Sequence, residues 1–345
     1  MGNRQEKILV WLPSPMGDAI LSTAGLRSIR EHFADADITF LATKTVRDVL
    51  QPCVYCDGFI NLKKNPLKLA GIIKQRNFDK VILFKNSFGS AMTVYLAGIA
   101  QRIGYDRDWR GMFLTNGIKP AMEGLGKFRP RSMVDYYLKL CKKIGCDVSG
   151  RRLSLEVSDE QVASALNKLA PVMSSSKPLV ILVPGGAFGP SKLWPSDRYA
   201  ELADKIIKKY DANVVVSVAP DKAERRIAAK ICSRASHELF NLGELRLGLG
   251  ELKGLFSKAD VVITNDTGPR HIAIALRKKV VTLFGPNDPK WTRTGYADEI
   301  QICGSGECVP CDKPKCRMSR HICMESISVD QVFDAVEKML DTQSG

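Results

Sequence analysis

Apolar positions along the chain fall into two alternating patterns. Short unbroken runs, such as "KILVWL" from residue 7, "ADITFLAT" from 36 and "FDKVILFK" from 78, read as strands buried on both faces. Between them lie segments whose apolar residues recur three and four positions apart, including Val46 to Leu50 and Leu67 to Lys74, and these read as helices. After a polar break, "SSSKP" at 174–178, the pattern starts again with "LVILV", "NVVVSVA", "ADVVITN" and "KVVTLFG". A final amphipathic helix over 328–341 presents Val329, Val332, Phe333, Val336 and Leu340 on one face. Strand and helix alternating twice over predicts two doubly wound parallel sheets of the Rossmann-like kind. At 345 residues the chain also exceeds the usual size of one core. The expected domains are 1–173 and 178–325, followed by a helical segment, 326–345.

In such sheets ligands sit beyond the carboxyl ends of the strands, which directs attention to the loops there. The stretch "TNDTGPRHIAIAL" follows one apolar run and passes into the spacing of a buried helix through Ile272, Ala273, Ala275 and Leu276. An aspartic protease would need a second Asp-Thr-Gly loop to pair its carboxylates, and the chain has one. A strand, a short loop and a helix N-terminus, with its unpaired N–H groups and dipole, instead suit a phosphate. Asp266, Thr267, Gly268 and His271 lie there. A second such loop, "VPGGAFGPSKLWP", places Gly185, Gly186 and Gly189 before Ser191 and Lys192, so that backbone can approach a phosphate and a cation can neutralise it. It matches neither a P-loop nor the Gly-x-Gly-x-x-Gly dinucleotide fingerprint, which weakens a dehydrogenase reading. In the first half, "PSPMGDAIL" puts Gly17 and Asp18 at the first strand-to-helix turn, where Asp18 reads as an N-cap or as a base facing an incoming hydroxyl.

Charge changes the picture further. The net charge is +14, and residues 1–172 carry 26 Lys and Arg against 16 Asp and Glu, while 173–345 carry 25 against 21. The basic half favours an anionic partner. Nucleic acid is the less favoured one, because stacking aromatics interleaved with cations and a recognition helix are both missing. The five-residue apolar run before Pro13 is too short for a signal peptide or a membrane span, so a cytoplasmic protein with reduced thiols is expected. Near the end, Cys308-x-x-Cys311 has the spacing of half a zinc site, with Cys316 and Cys323 as weaker completing ligands; thiols packed in a loop are the alternative.

Taken together, "MGDAILSTAGLRSI", "RIGYDRDWRGMFLT", "PGGAFGPSKLWPSDRYAELA", "TNDTGPRHIAIAL", "LFGPNDP" and the cysteine-rich tail resemble the bacterial lipopolysaccharide heptosyltransferases, glycosyltransferase family nine. "FGPSKLWP" with "CVPCDKPKCRMSRHICM" is most similar to the branch that adds the second heptose of the inner core. The resemblance implies a GT-B architecture, two Rossmann-like domains facing a central cleft, with acceptor on the first and ADP-heptose on the second. The last helix would cross back to the first domain. It implies an inverting transfer with no cofactor or metal, Asp18 as general base, and Lys192 with the helix beginning at Asp266 stabilising the departing diphosphate. Gly17, Gly185, Gly186, Gly189, Ser191, Thr267, Gly268 and His271 would line the donor pocket. The ribose acid is Asp221 or Glu224, and Ala187 and Phe188 would contribute backbone contacts only. The acceptor would be a lipid-anchored anionic saccharide reached from the cytoplasmic face of the inner membrane, held by Lys63, Lys64, Arg107 and Arg110 of the basic half.

Overall fold

In a computed structural model of the chain, the described residues are 4–123, 127–128, 131–169, 176–186, 188–245 and 247–341. They form two compact units, Met1–Glu156 with Lys290–Gly295, and Val157–Pro289 with Tyr296–Gly345.

The first unit contains β1 (Lys7–Trp11), β2 (Asp37–Ala42), β3 (Gly58–Asn61), β4 (Lys80–Leu83), β5 (Gln101–Tyr105) and β6 (Asn116–Ile118) in one parallel sheet of order β3-β2-β1-β4-β5-β6. Its helices are α1 (Met16–Leu21), α2 (Thr23–His32), α3 (Lys44–Leu50), α4 (Pro66–Gln75), α5 (Phe88–Leu96) and α6 (Met133–Lys143). A short antiparallel ribbon, β7 (Met122–Glu123) and β8 (Lys127–Phe128), precedes α6. The strands are unbroken apolar runs because they are covered on both faces; Ile8, Leu9 and Val10 are fully buried. Local signals fix the helix starts. Asn65, for example, accepts from the N–H groups of Leu67 and Lys68 and is followed by a proline that needs no donor.

The second unit repeats the plan. Strands β9 (Leu179–Val183), β10 (Asn213–Val216), β11 (Phe240–Asn241), β12 (Val261–Asn265), β13 (Lys279–Phe284) and β14 (Glu299–Cys303) run parallel in the order β11-β10-β9-β12-β13-β14. Around them are α7 (Asp159–Leu169), α8 (Ser196–Tyr210), α9 (Lys222–Arg234), α10 (Leu249–Phe256), α11 (Gly268–Ala275), α12 (Ile322–Glu325) and α13 (Val329–Asp341). Each sheet therefore reverses its winding once, between β1 and β4 in the first unit and between β9 and β12 in the second. Such a reversal opens a crevice at the carboxyl edge of the two strands.

Two domain expectations need correction. The boundary falls at 156/157 and not at the polar break, part of which lies outside the described residues. The reason is α7, which packs on α10 so closely that a Cβ at Gly254 would meet the Gln161 carbonyl at 2.4 Å; Ser164 and Lys168 also bond Glu251 at 2.6 Å. The described part of the last helix, expected to serve the first unit, belongs to the second. Val329, Val332, Val336, Met339 and Leu340 of α13 share a core with Val180, Val214, Ile263 and Val281 of the second sheet. No helix among the described residues is long and apolar enough to cross a membrane.

Candidate active site

In the second unit the loops after β9 and β12 flank the reversal, and side chains link them. Asn265 ends β12 and donates through Nδ2 to the carbonyls of Pro184 and Gly185 at 2.8 and 3.2 Å, while accepting from the Tyr199 hydroxyl at 3.1 Å. Lys192 reaches across from the glycine loop, its Nζ donating to the Asp266 carbonyl at 2.8 Å and to Asp266 Oδ2 at 2.9 Å. The other carboxylate oxygen accepts from Arg270 Nη1 at 3.1 Å, and Arg270 forks onto Glu299 at 2.6 and 3.1 Å. Thr282 and Gln301 donate in turn to Glu299 at 2.6 and 2.8 Å. All four charged side chains are buried or nearly so, and two cations balance two carboxylates. Burial pushes the Asp266 pKa up, but the Lys192 ammonium and the Arg270 guanidinium outweigh it and hold the carboxyl below its usual value. The Asp266 carboxylate can thus act on an anionic ligand only through the cations it orients.

Thr267 is the N-cap position of α11, and its side chain caps no N–H of that helix. His271 is buried behind it. Burial, then the neighbouring Arg270, pulls its pKa down to about 3, so the imidazole is neutral, and its Nδ1 has no hydrogen-bond partner among the described residues.

The glycine loop has reasons of its own for its glycines. A Cβ at Gly185 would lie 2.2 Å from Glu224 Oε2, and one at Gly189, whose φ is +151°, would lie 2.3 Å from the Pro314 carbonyl. Ser191 is buried and donates to the Lys313 carbonyl at 2.6 Å, so its hydroxyl holds the tail segment down. At Gly186 a Cβ would meet only ordinary van der Waals contacts, the nearest being Lys192 Cβ at 3.6 Å. Of the two candidate ribose acids, Asp221 is committed to capping α9 through the N–H groups of Ala223 and Glu224, whereas Glu224 accepts from Gly186 N at 3.1 Å and Ala219 N at 2.7 Å. The carboxylate beside the glycine loop is therefore that of Glu224. Phe188 corrects another expectation: its ring lies 4.8 Å from the Lys192 ammonium and offers a π-face. Ala187 lies outside the described residues.

The first unit repeats the arrangement with opposite charge. Gly17 and Asp18 sit in α1 just past β1; the N-cap position is Pro15, and Asp18, in the first turn, makes no capping hydrogen bond. Its carboxyl pKa is raised by burial, an effect partly offset by the Lys85 ammonium. Lys85 follows β4 across the reversal, and its Nζ donates to Ser14 Oγ at 3.1 Å. A half-buried carboxylate with raised basicity, close to a cation that favours its ionised form, has the properties of a general base.

The expected acceptor residues divide. Lys63 and Lys64 are exposed in the loop before α4, and Arg107 pairs with Asp108 at 2.9 Å. Arg110 does not fit an acceptor role. It is fully buried, donating to the carbonyls of Tyr105 and Lys85 at 2.6 Å each and to Asn86 Oδ1 at 3.1 Å, so it fixes the loop that carries Lys85. Among the described residues no three His, Cys, Asp or Glu side chains are grouped closely enough to hold a metal, while Cys308, Cys311 and Cys316 lie near enough to Cys323 for their charges to help burial raise its pKa. Cys303, Cys308, Cys311 and Cys316 are free and at least partly exposed, and Cys323 is free and buried.

Sequence reasoning overlooked Lys85, Arg270 and Glu299. The first two had a signal, Lys85 ending the run "KVILFK" and Arg270 standing four residues after Asp266. Glu299 had none, because its link to Arg270 exists only through the pairing of β13 with β14.

A model of glycosyltransferase family 9 (heptosyltransferase) matches residues 67–322. Lipopolysaccharide heptosyltransferase 2 of Escherichia coli K12 is 29% identical over 304 residues, covering 83% of this chain and 84% of that protein. Lipooligosaccharide heptosyltransferase 2 of Haemophilus ducreyi is 25% identical, covering 97% and 99%. Among solved structures, the E. coli ADP-heptose lipopolysaccharide heptosyltransferase II is similar with a TM-score of 0.81 at 23% identity, covering 98% of this chain and all of that one. A family 9 glycosyltransferase from Veillonella parvula gives 0.84 at 21%, covering 99% of each. These likenesses establish the GT-B class of fold.

Proposed function

The chain belongs to glycosyltransferase family 9, and on that premise we propose that it transfers heptose from ADP-heptose to the inner core of lipopolysaccharide, adding the second heptose with inversion. The observation that carries the reading is the Lys192 ammonium held by Asp266 at the head of α11, at the end of the glycine loop that follows β9. Fixed cations and helix N–H groups suit a leaving group that gathers negative charge. In this reading ionised Asp18 takes the proton of the acceptor hydroxyl as its oxygen attacks the anomeric carbon. The bond from that carbon to the diphosphate oxygen breaks, and Lys192 with the first turn of α11 receives the charge on ADP. Glu224 orders the glycine loop, and its carboxylate is the one placed to meet the ribose. No metal or other cofactor is required.

The proposed site of action is the cytoplasmic face of the inner membrane. Supporting it are large apolar side chains exposed on the first unit: Leu67, Trp109 and Met112 are 70%, 88% and 73% exposed, and in this reading they form one ridge. The ridge is joined by Phe113, whose ring lies 5.2 Å from Phe88 and 5.4 Å from Tyr95 of α5. Trp109 and the preceding Asp108 both have left-handed backbone, φ +61° and +53°, a conformation disfavoured for such residues. Lys63, Lys64 and Lys68 stand exposed beside Leu67, so apolar and cationic groups occur together, as binding at an anionic lipid surface needs. Mass spectrometry of products from ADP-heptose and a one-heptose acceptor tests the function. Release of ADP with a two-heptose product is expected, and an unmodified acceptor would overturn the reading.

A further inference from the structure

Away from Asp18 and Lys85, the first unit contains a concavity of about 510 Å³, within the size range of small-molecule sites. It is lined by Arg131, Ser132, Asp135, Arg151, Lys290 and Arg293, four cations to one carboxylate. That carboxylate is already engaged, since Asp135 is ion-paired with Arg151. The site is also built. Ser132 Oγ donates to the Arg293 carbonyl at 2.5 Å, and Arg151 Nη2 lies 3.4 Å from both the Ser132 hydroxyl and the Arg293 carbonyl. These bonds fasten residues 290–295 to the start of α6 and bring cations distant in sequence to one wall. Like charges held together this way repel, and an anionic ligand relieves the repulsion. Burial, and then the Arg293 cation, lowers the pKa of Arg151, which marks the same crowding.

We propose that this pocket binds acidic groups, phosphate or carboxylate, of the acceptor saccharide, with Arg131, Arg151 and Arg293 as the recognising side chains. The inference rests on the functional reading above and adds an acceptor site that the sequence did not indicate. The lining suits such a ligand better than a nucleotide, because it offers four cations and no aromatic ring on which a base could stack. Arginines recognise these groups with two parallel N–H donors, giving direction as well as charge.

The test is a variant carrying Arg131→Ala and Arg293→Ala, both at exposed positions, with Arg151 and the Ser132 bond to the 293 carbonyl left in place. The probes are a lipid-free core oligosaccharide bearing acidic sugars and phosphates, and the same oligosaccharide after phosphatase treatment and carboxyl reduction. Calorimetry should show the variant binding the acidic probe at least ~10-fold more weakly than wild type, with a flatter salt dependence, and the two proteins binding the neutralised probe alike. In turnover, the acceptor KM should rise by a similar factor while the ADP-heptose KM stays within about twofold. Unchanged binding of the acidic probe would overturn the assignment. So would a difference seen only when acceptor is presented in vesicles, since a lipid headgroup would then be the anion. Wild-type protein that binds the acidic probe through these arginines but transfers no heptose to it would count against the functional reading alone.

Discussion

Replacing Lys192 with Ala should damage ligand binding and folding by separable amounts. The ammonium makes two short bonds to Asp266, and both side chains are more than nine-tenths buried. Breaking a buried ion pair outright costs about 3–5 kcal/mol, but Asp266 keeps Arg270 at 3.1 Å, so about 2 kcal/mol is expected. At roughly 2–4 °C per kcal/mol for a unit of this size, the melting transition of the second unit should drop by roughly 4–8 °C. The ligand effect is larger in proportion. Two cations facing two carboxylates become one cation facing two, and ADP loses a charge-assisted donor worth about 1.5–3 kcal/mol, roughly a 10- to 150-fold rise in Kd. Acid stability supplies an independent readout. Asp266 is held below its ordinary pKa in the fold, so its stabilisation is present above the unfolded value, near 3.8, and is lost as pH falls through the folded value. Removing Lys192 raises the folded value, and acid unfolding should begin at higher pH. Calorimetry with ADP and thermal melts at several pH values would decide. An ADP affinity within about threefold of wild type, alongside the expected loss of stability, would make Lys192 a structural partner of Asp266 and move the phosphate site elsewhere.

Asp18→Asn should keep the fold and donor affinity but lower kcat at least ~10²-fold; the acid limb of the wild-type pH–rate profile, set by a carboxyl titrating above its ordinary range, should vanish with it. Turnover within a few fold of wild type would remove Asp18 from the chemistry. EDTA should leave transfer intact, and activity lost to chelator and restored by magnesium would contradict the proposed charge stabilisation. Arg110→Ala should cost about 3–5 kcal/mol in urea unfolding of the first unit, because it empties a fully buried position and removes three hydrogen bonds, to two carbonyls and an amide oxygen; a well-folded variant with only a raised acceptor KM would restore the acceptor role. Leu67→Glu with Met112→Glu should weaken cosedimentation with anionic vesicles at least ~10-fold while activity on a lipid-free acceptor is unchanged, and undiminished cosedimentation would exclude the ridge as the membrane contact.

What the sequence revealed and what it hid follow from the range over which each signal acts. Strands covered on both faces leave continuous apolar runs, so β1, β2, β4, β9, β10, β12 and β13 were legible, and with them the loops at the carboxyl edge that carry Asp18, Lys192 and Asp266. Short edge strands such as β3 and β11 bury fewer residues and gave no comparable signal. The domain boundary was misplaced because a polar break is only a local cue, whereas the affiliation of α7 is decided by its fit against Gly250 and Gly254, almost 90 residues on. Arg110 shows the same limit for charge. In "GYDRDWRG" nothing in the residue types separates it from Arg107, and the one trace of its burial is Gly104, where a Cβ would come within 2.9 Å of its guanidinium. Lys192 and Asp266 are 74 positions apart, and Arg270 and Glu299 are 29 apart. The first pair exists because parallel neighbours in a doubly wound sheet deliver their following loops to one edge, the second because β14 pairs beside β13 and brings Glu299 within reach of α11. A cation found after a buried strand is therefore best matched first with carboxylates at the ends of the neighbouring strands. Only the charge left over after that matching, such as the excess around Arg131 and Arg293, points outward to a ligand.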